Sequence, residues 1–220
     1  MIFDMDGVLI DSEHLWRKAM MMTFAENNMN LTENDCRKTM GMRIGEVIGL
    51  WLAHHQKPAS LAPALEERIV TLLLELINSD GKVIAGIPEL IDYCIAQKLK
   101  TGLATSSSQR LVNAVLTRTA LKSKIEATVT ADHLRYAKPH PEVFLECAGK
   151  LGVAPGQCIV IEDSLNGVIA AKAARMKVIA VPDDDHLKAD DHRARQFILA
   201  DYQAENMRQV LAFFKKIYGE

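Results

Sequence analysis

Two aspartates one residue apart, Asp4 and Asp6, stand between a short apolar stretch and Gly7 in FDMDGVLIDSE. Residues i and i+2 leaving a strand point to the same side, so both carboxylates can reach one reacting atom. One can attack it while the other moves the proton. Gly7 lets the backbone turn tightly beside an anion. A D-x-D-G string is also an ordinary turn former, and alone it would carry little. Further polar groups change that. Thr105 and Ser106 follow the apolar TGLA, Lys138 and Pro139 follow TVTADHLRYA, and Glu162 and Asp163 follow CIVI. Converging carboxylates repel one another unless a cation or protons intervene. Hard oxygen ligands with open water positions suit Mg²⁺. A lysine and a hydroxyl beside that cation suit a phosphate-like anion.

The elements that must position these groups follow from the hydrophobic pattern. MIF reads as a short strand. Residues 12 to about 78 read almost entirely as helix: EHLWRKAMMMTFAEN, IGEVIGLWLAHH and LAPALEERIVTLLLELINS have apolar residues at helical spacing, the last with Pro63 near its start, where proline is tolerated. Beyond residue 80, short apolar strands (KTGLAT, EATVTA, QCIVIED, KVIAVP) alternate with helices. That alternation predicts an α/β fold: a parallel sheet flanked by helices. A small helical unit interrupts it after the first strand, giving a core of residues 1–11 and 80–220 and an insertion of residues 12–79. In such sheets the ligand site lies outside the carboxyl ends of the strands, where the polar groups fall.

The 220 residues suit a core domain with a modest insertion. A formal net charge of −2 argues against a nucleic-acid protein. No apolar run is long enough to span a membrane, and no secretory signal is visible. The cysteines Cys36, Cys94, Cys147 and Cys158 match no zinc spacing and read as buried reduced thiols of a cytosolic protein. PDDDHLKADDHRAR reads as a solvated loop or frayed helix, whose Asp183, Asp184 and Asp185 offer a weak cation site. His54 and His55 end a helix, where its dipole accounts for them, and the methionines of AMMMT read as packing.

Taken together, the motifs resemble the haloacid dehalogenase superfamily in its β-phosphoglucomutase-like branch, over essentially the whole chain. The resemblance implies a Rossmann-like core under a small helical cap. FDMDGVLIDSE is similar to the first motif, with Asp4 as nucleophile and Asp6 as acid/base. LATSS resembles the second, with the Thr105 hydroxyl and the Ser106 backbone on the phosphate. AKPHPEVF resembles the third, where Lys138 neutralises phosphate and nucleophile. IEDSLNGVIAAKAA resembles the fourth, with Asp163 and Glu162 holding Mg²⁺ beside Asp4 and the Asp6 carbonyl. Dehalogenases of this fold lack an acid at the Asp6 position, so phosphoryl transfer is favoured.

The segment DSEHLW resembles that of bacterial 2-deoxyglucose-6-phosphate and related sugar-phosphate phosphatases. β-Phosphoglucomutases carry a histidine where Trp16 stands and an arginine where Ile44 stands. The resemblance therefore implies hydrolysis of a small sugar phosphate through an aspartyl phosphate, by a cytoplasmic protein that is a monomer by default. The alternatives are a phosphoglucomutase-type isomerase and a non-catalytic sugar-phosphate-binding protein. Substrate selection is expected from the cap: Trp16 for the face of a sugar ring, and Met42 and Arg43 from the loop MGMRIG. Arg175 stands where relatives have glycine just past a helix, in a position that is usually left-handed, at a cost of about 1 kcal/mol.

Overall fold

A computed structural model describes residues 1–182 and 197–219; the acidic run at Asp183, Asp184 and Asp185 lies outside the described residues. The chain runs β1 (Ile2–Phe3), β2 (Ile10–Asp11), α1 (Glu13–Glu26), α2 (Glu33–Lys38), α3 (Ile44–His54), α4 (Ala62–Asp80), β3 (Lys82–Val83), α5 (Ile87–Ala96), β4 (Gly102–Ala104) and α6 (Gln109–Arg118). It continues β5 (Ala127–Val129), α7 (Glu142–Leu151), β6 (Ile159–Glu162), α8 (Leu165–Ala173), β7 (Lys177–Ala180), β8 (Tyr202–Gln203) and α9 (Met207–Tyr218). Strands β5-β4-β1-β6-β7-β8, in that order, form one sheet. All its neighbours pair in parallel.

Successive strand residues face opposite sides, and two apolar layers result. Phe3, Leu103, Ile161 and Ile179 pack with α5, α6 and α9 on one face. Ile2, Ala104, Val160 and Val178 pack with α7 and α8 on the other. With both faces covered, the strands read as continuous apolar runs rather than alternating ones. Burying each large apolar side chain contributes about 1.5–3 kcal/mol. The chain leaves β1 for β4 and β5 on one side and returns to β6 on the other, so β1 is the switch point where a crevice opens at the strand ends.

Between β2 and β3 the chain makes α1 to α4. Helix α1 packs on α2 and α4, and α3 packs on α4. Thr32 and Asp35 cap α2 reciprocally. The apolar interior of this insertion is continuous with one face of the sheet. The strands β2 and β3 pair antiparallel, Ile10 with Val83 and Asp11 with Lys82, where the chain enters and leaves the insertion. The sequence reading placed no strand there and missed β8 as well, because a two-residue strand is too short to show a period. Arg175 is left-handed at φ 60°, as expected. All four cysteines are free and buried. Among the described residues, no helix is long and apolar enough to cross a membrane.

Candidate active site

The loop after β1 turns sharply. The N–H groups of Leu9 and Ile10 donate to the Met5 carbonyl, and that of Gly7 donates to the Ile10 carbonyl. Gly7 is left-handed at φ 71°, and a Cβ there would overlap the Asp163 carboxylate. Glycine at this position therefore serves both the turn and the approach of the acid. Asp4 extends the ladder, its N–H donating to the Ile161 carbonyl over 3.0 Å, and its side chain stays at the centre of the crevice.

Lys138 reaches this point from the segment before α7. Its Nζ lies 2.5 Å from Asp4 Oδ1 and 2.5 Å from Glu162 Oε1, and it is 3% exposed. The ammonium also lies 4.7 Å from the centre of the Phe144 ring. The second oxygen of Glu162 accepts from the Ser164 N–H and from its hydroxyl, each over 2.9 Å. Gly167 makes room for it, since a Cβ there would occupy the place of the Glu162 carboxylate. Ser164 in turn caps α8, accepting from the Gly167 N–H over 3.1 Å.

The carboxylates Asp4, Glu162 and Asp163 offer ligand atoms all within 4.8 Å of one another, and all are buried. One ammonium faces them. Burial pushes the Asp4 carboxyl up to about 7, with Glu162 and Asp6 adding and Lys138 opposing. Burial, then Glu162 and Asp4, raises Asp163 as well. Burial pulls Lys138 down, but Asp4 and Glu162 more than offset this and hold it above its ordinary value. Asp163 is 2% exposed, and no described side chain donates to it. The cluster is thus short of positive charge, and Asp163 is short of a partner. An oxygen-ligated divalent cation fits both deficits.

Asp6 sits apart from that cluster and is held by three donors. Its Oδ1 accepts from the Ser12 hydroxyl over 2.6 Å and from the Trp16 indole N–H over 2.9 Å. Its Oδ2 accepts from the Ser107 hydroxyl over 2.7 Å. Thr105 is buried, and its Oγ1 accepts from the Ser107 N–H over 3.1 Å. The Ser106 hydroxyl oxygen is buried without a partner among the described residues, so a phosphate oxygen entering there would meet a ready donor.

Asp4, Asp6, Thr105, Ser106, Lys138 and Asp163 line one cleft. Its opposite wall comes from the insertion, including Trp16, Met42 and Ile44. Glu162 lies behind the cleft, with both oxygens engaged. Arg43 does not line the cleft: it stands at the start of α3, and its Nη2 donates to the Leu134 carbonyl over 3.3 Å. Sequence reasoning missed Ser12 and Ser107, the hydroxyls on Asp6, and the cleft-lining Glu13, Arg17, Met20 and Arg37. Ser12 stands where α1 begins and Ser107 two residues past Thr105, offsets that could have drawn notice. For the others, a charge or a methionine on a helix carries no such signal.

Comparison with known proteins agrees with this geometry. The chain is 38% identical to hexitol phosphatase B of Escherichia coli over 212 residues, 96% of this chain and 93% of that protein. It is 31% identical to a fructose-1-phosphate phosphatase of the same species, over 82% of this chain and 95% of that one. The fold matches a β-phosphoglucomutase of Clostridium difficile with a TM-score of 0.83, at 24% identity, covering 99% and 96% of the two chains. Residues 1–181 match the family described as haloacid dehalogenase-like hydrolase, and the chain belongs to that family.

Proposed function

We propose that the protein hydrolyses the phosphomonoester of a small polyhydroxy compound, a hexose or hexitol phosphate, through an aspartyl phosphate. One observation carries the reading. A buried carboxylate, Asp4, is clamped to Lys138 at the floor of a cleft, while a second carboxylate, Asp6, is held separately at the same cleft by three donors. A site built only to bind phosphate would gain nothing from presenting two carboxylates to it.

An Asp4 oxygen attacks the phosphorus, the bond to the leaving oxygen breaks, and Asp6 gives that oxygen its proton. Asp6 then takes a proton from water as the water oxygen attacks the phosphorus. The bond to Asp4 breaks and inorganic phosphate leaves. Lys138 stays beside Asp4 and pairs with the phosphoryl oxygens, while Thr105 and Ser106 donate to them. Asp4, Asp163 and the Asp6 carbonyl would hold Mg²⁺, with Glu162 fixing Lys138. The cation would supply charge neutralisation at the phosphoryl group.

The insertion serves as a cap, with Trp16 and Met42 on its cleft face and Arg43 acting at one remove through the Leu134 carbonyl. The names of the relatives support a sugar-type leaving group. Four free, buried thiols suit a reducing, cytoplasmic compartment, and a monomer is the default assignment. Phosphate release from a panel of hexose and hexitol phosphates, with Mg²⁺ and with excess EDTA, tests the reading. Activity that needs Mg²⁺ is expected. Full activity in EDTA would remove the metal, and no release from any member would remove the substrate class.

A further inference from the structure

Asp6 draws its donors from two parts of the molecule. Ser107 belongs to the sheet domain, in the loop between β4 and α6. Ser12 directly follows β2, and Trp16 lies one turn further along α1. These donors are not equivalent. A hydroxyl can rotate to donate or accept, whereas an indole N–H only donates. Ser12 and Ser107 can therefore adapt to whatever Asp6 carries. Trp16 cannot, so its contact fixes Oδ1 as an acceptor and with it the plane of the carboxylate.

We infer that Trp16 is a positioning residue for the acid/base. Its N–H, borne on the first helix of the insertion, fixes the Asp6 carboxylate in the orientation from which it protonates the leaving oxygen. This differs from an aromatic face for a sugar ring, because the ring edge is engaged with the catalytic machinery. It rests on Asp6 being the acid/base, and the test separates the two claims.

The probe is a series of substituted phenyl phosphates, from phenyl to p-nitrophenyl phosphate. Members are similar in shape but differ in how much the leaving oxygen needs a proton. Trp16→Phe keeps the ring and removes the N–H. kcat/KM for phenyl phosphate should fall by about tenfold or more, the scale of one hydrogen bond to a charged group. For p-nitrophenyl phosphate the change should stay within about twofold, so the dependence on leaving-group basicity steepens. Asp6→Asn should steepen it further, and adding Trp16→Phe to Asp6→Asn should cost nothing more. Trp16→His, a smaller ring that keeps a donor, should recover part of the loss. A uniform loss across the series with Trp16→Phe, or no loss at all, overturns the inference. If Asp6→Asn itself leaves the dependence unchanged, the acid/base reading fails and the inference fails with it.

Discussion

At the floor of the cleft Lys138 holds Asp4, and just behind it Glu162, at 2.5 Å each in near-complete burial, whereas the wall from the insertion sets Glu13, Arg17 and Arg37 among Met20, Met42 and Val47. The floor is a closed arrangement. Each group is positioned by another, and Gly7 and Gly167 are small because a carboxylate occupies the space a Cβ would take. The wall is built differently: its charged groups sit on helix faces, and Arg37 pairs with Glu33 within α2 at 3.3 Å. A phosphoryl group is the same in every substrate, so fixed, desolvated charges can be aimed at it once. The rest of the molecule varies, and helix faces that do not bond the floor, unlike Trp16, can change without moving it.

The comparison breaks most sharply at the nucleophile. Asp4→Asn should abolish phosphate release, by about 10⁴-fold or more, and no phosphoenzyme should be trapped. Asp6→Asn should still form one, which then turns over slowly. A phosphoenzyme in Asp4→Asn would exchange the roles of the two acids.

Gly167→Ala tests whether the floor is as tightly interlocked as its distances imply. A methyl placed on the Glu162 carboxylate should destabilise the fold by about 1–3 kcal/mol, read as a loss of several degrees in Tm. It should also lower kcat through the displaced Lys138. By contrast, Arg37→Ala on the wall should leave turnover of p-nitrophenyl phosphate near wild type while shifting kcat/KM among sugar phosphates by up to about tenfold. An equal effect on every substrate would erase the distinction between floor and wall.

Metal removal sharpens the electrostatic side. Asp4 sits near 7 when folded against about 3.9 unfolded, so the metal-free fold binds the extra proton and loses stability as pH rises between those values. Binding of Mg²⁺ requires the deprotonated carboxylates. The gain in Tm on adding Mg²⁺ should therefore be larger at about pH 8 than at about pH 5. A gain independent of pH would mean that the cation does not meet this cluster.

A surface cluster gives the smallest effect and serves as the control. At Asp201, burial pushes the carboxyl up, but hydrogen bonds from Lys172, the Val178 N–H and Lys177 outweigh it and hold it at about 2. Its stabilisation is present above the unfolded value and lost as pH falls through about 2. Asp201→Asn should cost under about 1 kcal/mol near neutral pH, and the difference in Tm from wild type should shrink below about pH 4.

Much of the floor was legible in the sequence. Polar residues at or soon after the ends of buried strands, Lys138 nine residues past β5 being the furthest, stand out against apolar runs, and parallel topology brings those strand ends together. Asp4, Asp6, Thr105, Ser106, Lys138 and Asp163 were found in this way. Glu162 was singled out as a metal ligand, but its engagement by Lys138 and Ser164 depends on the space beside Gly167, which no pattern reveals. Trp16 was noticed for its ring, yet the structure engages its N–H. Arg43 was expected at the cleft; it stands just before α3, and its Nη2 donates to the Leu134 carbonyl instead. Spacing along a chain shows which residues leave an element together; it does not show which atom of a side chain finds a partner across the cleft.

The paired crossing at β2 and β3 has an evolutionary consequence. The chain departs and returns through adjacent, antiparallel strands, Ile10 beside Val83 and Asp11 beside Lys82, so the two ends of the insertion are closely spaced. Segments whose ends lie close together can be lengthened, shortened or exchanged at little entropic cost. On the proposed function, replacing the helices between these strands would change the leaving-group preference while the groups proposed for phosphoryl chemistry stay in place, provided the new helices again fit the apolar face they share with the sheet and the first of them carries a donor one turn from its start.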